Sequence, residues 1–303
     1  MRKKFIVAVM ALLTIGSAHA CEVCGCSLGG NYFGILPQFH GHFVGLRYQY
    51  RSFRSEHLPL FNESETLISH EYFHTTELWG RWNPSTKVQL FAFVPVNFMR
   101  KQEAAIASQE NGLGDVRLMA NVVLLNTGDD IRNVWKYALQ LGGGVKIPTG
   151  RSNIQLADGE VNPNFQLGTG SFDFPLNAIY TMRYKRAGLS TEVNYRLNTA
   201  NQDGYRFGNQ FNTATRLFYW QQAGLVNFLP SVGALWEHAA QDSENGIRQD
   251  LSGGKSLWFT AGLDVYFNRF FVGASYQQAT YQHLFDGQLT SHARVAMNFN
   301  FLF

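Results

Sequence analysis

The chain closes with Ser291-His292-Ala293-Arg294-Val295-Ala296-Met297-Asn298-Phe299-Asn300-Phe301-Leu302-Phe303. In an extended strand, successive side chains point to opposite faces. Ala293, Val295, Met297, Phe299, Phe301 and Phe303 therefore share one face, and Arg294, Asn298 and Asn300 share the other. A soluble edge strand would leave these phenylalanines in water at a chain end, where fraying is expected. A strand with lipid on one side and a wet lumen on the other satisfies both halves of the pattern, and the closing strand of an outer-membrane β-barrel reads this way.

Working back from that strand, about twelve runs show the same period-two patterning. They fall near residues 41–54, 69–83, 86–99, 113–126, 134–147, 171–184, 187–198, 205–220, 227–239, 255–267, 270–283 and 291–303. The run at 187–198 is the cleanest, with Leu189, Thr191, Val193, Tyr195 and Leu197 set against Ser190, Glu192, Asn194, Arg196 and Asn198. An even number of strands puts both termini on one side. Short links at Pro84-Ser85, Lys185-Arg186 and Asn268-Arg269 alternate with longer ones, the largest spanning roughly 148–170. Short turns belong to the periplasmic end of such barrels, so both termini are expected there. Trp82, Trp135, Tyr184, Tyr219 and Phe267 are expected to form a girdle at that interface. The fold class is all-β: a transmembrane, antiparallel, up-and-down barrel of about twelve strands over residues 41–303.

The other end of the chain agrees. Met1-Arg2-Lys3-Lys4 is basic, Phe5 to Ile15 is apolar, and Ala18-His19-Ala20 is a small-x-small cleavage site, so residues 1–20 read as a secretory signal peptide. Its apolar run is too short to span a bilayer. A mean hydropathy of −0.17 with 15% aromatic residues argues against a helical membrane protein. It suits a barrel, since half of each strand faces water. The net charge of +3 and the lack of a basic cluster exclude a nucleic-acid-binding reading. The expected location is the outer membrane of a Gram-negative bacterium. Lipid, a small solute and the barrel-assembly machinery, acting on the C-terminal strand, are the expected partners.

If the apolar phase faces lipid, the other phase lines the pore. That phase carries Arg47, Arg51, Glu71, Glu77, Arg81, Asp115, Arg117, Asp173, Arg183, Glu192, Arg196, Arg216, Glu237, Asp264 and Arg294. Charges this frequent cannot sit in hydrocarbon. One reading is a barrel braced by internal salt bridges around a blocked interior; the other is a hydrated conduit with a slight arginine excess. Phe91, Phe93 and Pro95 on the inward phase add an apolar patch that suits a weakly polar or aromatic solute.

Three glycine-rich motifs recur in order: Gly112-Leu113-Gly114-Asp115-Val116-Arg117-Leu118, Gly142-Gly143-Gly144-Val145-Lys146-Ile147-Pro148-Thr149-Gly150, and Leu167-Gly168-Thr169-Gly170-Ser171 followed by Asp173. In these the chain resembles the outer-membrane transporter family named for the meta-cleavage pathway of phenol degradation, over most of residues 41–303. The resemblance implies a channel for small, often hydrophobic compounds. Physically, Lys146 to Gly150 is a strand ending in a turn, where proline stops the ladder and glycine permits positive φ. It lacks the residue order and following helix of a phosphate loop.

Residues 21–40, a periplasmic or lumenal segment, open with Cys21-Glu22-Val23-Cys24-Gly25-Cys26, which the resemblance does not account for. Three readings stand. The thiolates suit a soft metal, Cu(I) or Zn(II), with His40 and His42 as weaker ligands. A disulfide is ordinary chemistry in the periplasm. Lipidation of Cys21 is the third, although Ser17-Ala18-His19-Ala20 is a poor lipoprotein signal. No cofactor is otherwise expected. His70, His74, His238 and His292 read as structural. No serine nucleophile elbow occurs, so the chain does not read as an enzyme. A channel is the first reading, a copper- or zinc-linked barrel the second, and an outer-membrane lipid hydrolase the third.

Overall fold

The structure, a computed structural model, describes residues 41–57, 67–103, 106–128, 134–156 and 161–303. Its strands in chain order begin with β1 (Phe43–His57), β2 (Leu67–Ser85), β3 (Val88–Glu103), β4 (Ile106–Leu113), β5 (Val116–Asn126) and β6 (Trp135–Ile147). They continue with β7 (Phe174–Tyr184), β8 (Ala187–Leu197), β9 (Tyr205–Arg206), β10 (Gln210–Tyr219), β11 (Gln221–Ala223) and β12 (Val226–Ala239). The last are β13 (Ser243–Glu244), β14 (Ile247–Arg248), β15 (Gly254–Phe267), β16 (Phe270–Leu284), β17 (Leu289–Ser291) and β18 (Arg294–Leu302). These segments build a closed antiparallel barrel of twelve staves. β4 with β5, β10 with β11, and β17 with β18 each make one stave, while β9, β13 and β14 form a separate small sheet.

Each stave follows its neighbour in sequence, so every ladder but one comes from adjacent runs. The exception closes the barrel: β18 pairs with β1 from Phe43↔Leu302 to Tyr50↔Val295, and with β16 on its other edge. The quoted terminal strand is thus hydrogen-bonded on both sides, which a wall in hydrocarbon requires.

The period-two pattern sorts the side chains as expected. Met297 and Phe299 are half-exposed on the outer face, and Asn300 is fully buried within. Leu46, Leu78, Leu141, Leu176, Leu217, Val232, Phe259 and Leu263 likewise lie exposed outside. In a one-layer barrel a buried side chain is one that points into the lumen. The outer face is apolar and the buried charges and amides are gathered inside, and so extensive an apolar outer surface needs a cover. Trp82, Trp135, Tyr184, Tyr219 and Phe267 all lie exposed at the end where Phe43 and Leu302 sit, hereafter the near end. Trp135 and Tyr184 pack there with ring centroids 4.7 Å apart.

At the near end the links after β2, β7, β11 and β15 are two residues long, whereas that between β5 and β6 spans 127–134. Lys185 and Asn268 each take a positive φ of 51°, which lets two-residue links reverse the chain between twisted strands. At the far end two stretches differ from expectation. Residues 100–112 lie between the expected runs at 86–99 and 113–126, yet β3 and β4 run through most of them. Nor is 205–220 one strand: Tyr205–Arg206 leaves the wall and pairs with Ser243–Glu244 in the small sheet. The fourth stave is broken at Gly114-Asp115, and among the described residues β4 pairs with β3 alone. Arg151, which follows β6, meets Glu110 of β4 at 3.3 Å.

Candidate functional site

The interior is layered along the barrel axis. At the near end Phe43, Trp79, Phe91, Phe93, Phe218, Leu229, Tyr266 and Phe271 pack in one buried apolar cluster. At the far end Phe53, Phe73, Met99, Phe165, Leu167, Leu284, Phe285 and Leu289 form another. Phe165 and Leu167 belong to residues 161–170, which therefore fold inward, and Phe165 meets Phe73 at 6.0 Å between centroids. Most of the charged residues lie between the two clusters.

Every residue expected on the pore phase is buried or half-buried inside the barrel. Arg47 and Arg117 both donate to Glu77. Their guanidinium groups also lie 4.9 Å from the ring centroids of Trp79 and Phe93, respectively, so the near-end aromatics back the ion pairs. Glu237 receives Arg294 at 2.9 Å, the Ser256 hydroxyl at 3.1 Å and the Trp258 indole N–H at 3.0 Å. A buried carboxylate needs such saturation to offset its desolvation. Arg81 donates to the Gly41 carbonyl at 2.7 Å, and Glu71 accepts from Ser55 at 2.9 Å. Arg183 lies 5.1 Å from the Trp220 ring, half-buried at the near end.

Twelve of the expected residues line three cavities. A cavity of about 170 Å³ is lined by Arg47, Arg51, Glu77, Asp115, Arg117, Asp173 and Arg196. A second, of about 60 Å³, shares Arg47 and Arg51 with it and adds Glu192, Arg216, Glu237 and Arg294. A third, of about 20 Å³, brings in Asp264 beside Arg216. Glu71, Arg81, Phe91, Phe93 and Arg183 line none of the three, since they belong to the layers above and below.

The three glycine-rich motifs converge on one knot. Lys146 Nζ lies 2.8 Å from Asp115 and 2.6 Å from Asp173, all three nearly buried, and donates to Thr169 as well. Asp115 also accepts from the backbone N–H groups of Gly150 at 3.0 Å and Thr169 at 2.9 Å. The Gly150 and Gly168 backbones touch: a Cβ on Gly150 would sit 2.7 Å from the Leu167 carbonyl oxygen, and one on Gly168 would overlap Asp115. Those glycines are needed for close approach.

Sequence reasoning did not single out Lys146, Trp258 or a row of amides on the inner wall. Asn121, Gly142, Asn177, Asn194 and Asn212 stand opposite one another across successive staves. A Cβ at Gly142 would overlap both Asn121 and Asn177. Phase alone placed these residues inside; the register that aligns them is a property of the sheet.

Cys21, Cys24, Cys26 and His40 lie outside the described residues. His42 Nδ1 accepts the Asn83 backbone N–H at 3.1 Å. Among the described residues no group of three or more histidine, cysteine, aspartate or glutamate side chains is arranged to hold a metal. His74 bonds Tyr48 at 2.7 Å on the outer face.

No family model matches the chain, and no curated protein does. Among solved structures it is similar to an outer-membrane channel from Pseudomonas putida F1, with a TM-score of 0.63 and 14% identity over 87% of this chain and 96% of that one. More distant matches include the β-domain of a Bordetella autotransporter, at TM-score 0.47 and 12% identity over 87% and 99% of the two chains. A FadL homologue from Pseudomonas aeruginosa matches at TM-score 0.43 and 9% identity over 87% and 90%. What the first likeness establishes is the fold: this chain is built as an outer-membrane β-barrel.

Proposed function

We propose that the protein is an outer-membrane channel for small solutes of apolar or aromatic character, with both termini in the periplasm. The observation that carries this reading is the layering of the lumen, in which a charged belt with cavities lies between two aromatic clusters. A hydrated ion must shed water to pass an apolar constriction, whereas an apolar solute exchanges one apolar contact for another. Asn121 and Asn177 present buried amides with no partner among the described residues, as a lumen that takes up water or solute would need. The resemblance of the three motifs to the meta-cleavage transporter family supports the same solute class. The cysteine segment supplies a second reading, soft-metal binding by Cys21, Cys24 and Cys26, on sequence alone.

Proteoliposomes containing the folded protein should admit small aromatic solutes such as benzyl alcohol faster than sugars of equal size. Equal exclusion of both would sink the channel. An epitope inserted near Glu244, in the far-end loop, should be labelled on intact cells, while one at the mature N-terminus should not.

A further inference from the structure

Arg294 is 5% exposed, within the polar belt. Its Nη1 is taken by the two oxygens of Glu237, at 3.0 and 2.9 Å. Its guanidinium carbon lies 3.8 Å from the Trp258 ring centroid, so the group is stacked as well as paired. Nε and Nη2 are different: both are buried, and neither has a hydrogen-bond partner among the described residues. In a guanidinium these two nitrogens share one edge, and their parallel N–H donors match the two oxygens of a carboxylate. Glu237 is already saturated by Arg294, Ser256 and Trp258, which leaves the second edge to something else.

Arg294 lines the cavity of about 60 Å³, whose charged lining is four arginines against two glutamates, with Ala214 and Leu235 as apolar wall. We infer that this cavity binds the carboxylate of a small organic acid with an apolar body. The carboxylate sits on the Nε–Nη2 edge, and the body lies against Ala214 and Leu235. Stacking on Trp258 and pairing with Glu237 hold the guanidinium in place before the ligand arrives, which lowers the ordering cost of binding. The inference narrows the proposed solute class and rests on the channel reading for the ligand's route, but occupancy of the site can be measured without transport.

The test is calorimetric titration of the folded, detergent-solubilised protein with benzoate, and with benzyl alcohol as the uncharged control. Benzoate should bind at least about tenfold more tightly than the alcohol, the factor expected from one charge-assisted hydrogen bond. Arg294→Lys keeps a cation beside Glu237 but loses the paired donors, and should weaken benzoate by a similar factor. Ala214→Leu fills the cavity with Arg294 and Glu237 both retained and should abolish benzoate binding, so the test survives if the lysine variant does not fold. Absence of benzoate binding to the folded wild type, equal binding of the alcohol, or unchanged benzoate affinity in the folded variants would each overturn the site. Benzoate binding in a protein whose liposomes admit no solute would uphold the site and defeat the channel. Solute entry without benzoate binding would do the reverse.

Discussion

The two ends of the barrel are held by different means. At the near end the work is done by backbone: the β1–β18 ladder closes the wall, two-residue turns follow β2, β7, β11 and β15, and exposed aromatics ring the rim. At the far end it is done by buried aspartates that collect donors from the loops. Asp115 takes Gly150 and Thr169; Asp173 takes Thr199 at 3.1 Å and Ser171 at 3.0 Å. Asp242 takes the Tyr205 hydroxyl at 2.6 Å and the Gly208 N–H at 2.7 Å. The lesson is physical. A hairpin turn satisfies its own backbone, whereas long loops folded over a lumen carry N–H groups that need side-chain acceptors. The near end should therefore fail as a unit, and the far end one knot at a time.

The largest effect is expected from removing residues 299–303. Phe299 to Phe301 pair with both β1 and β16, Leu302 pairs with β1, and their loss leaves unpaired backbone groups in lipid at several kcal/mol each. No heat-modifiable barrel should be recovered from membranes. Recovery at normal levels would show that closure does not depend on this seam.

A smaller, local effect is expected from Lys146→Met. It leaves Asp115 and Asp173 buried without their shared cation, a loss of about 3–5 kcal/mol for a broken buried pair. The barrel should still form, because the near-end ladder is untouched, while segment 148–170 becomes protease-sensitive. Adding Asp115→Asn and Asp173→Asn should restore much of the stability by removing the stranded charges. If Lys146→Met instead prevents barrel formation, the two ends are not independent.

The Asp242 knot should respond to pH. Burial pushes this carboxyl above its ordinary value of 3.8, against the hydrogen bonds from Tyr205 and Gly208. The protonated form is thus favoured in the fold. Loop stability should fall as pH rises from the ordinary carboxylate value through the raised one, and return on acidification. Amide exchange at Gly208, corrected for its intrinsic pH dependence, reads this directly, and Asp242→Asn should flatten the profile. Protection that instead rises with pH would reverse the sign and contradict it.

The smallest effect concerns the near end. Lys185 holds a left-handed backbone conformation that favours asparagine or glycine. Lys185→Asn should stabilise the barrel by less than about 1 kcal/mol, seen as a slight rise in the temperature of its gel-shift transition. A loss of stability would mean that the lysine contact with the Tyr184 ring, at 5.3 Å, outweighs the backbone term.

What could be read from the residues in order was phase. A strand alternates because of its covalent geometry, so which side chains face lipid, which face the lumen, how many staves there are and where the short turns fall were all legible. Arg100 and Gln102 misled because outward polar residues read as loop, although a strand can continue beyond an apolar band into water; Lys101 between them points inward and is buried. Tyr205 misled because its partner is a carboxylate in another loop. Only the tertiary structure decided which inward residues meet. Arg294 and Glu237 are 57 residues apart, and the three glycine-rich motifs come together only once the barrel closes and residues 161–170 turn inward. The stagger of the ladders sets who lies opposite whom across a lumen. That stagger is a collective property of twelve paired staves, and no single strand contains it.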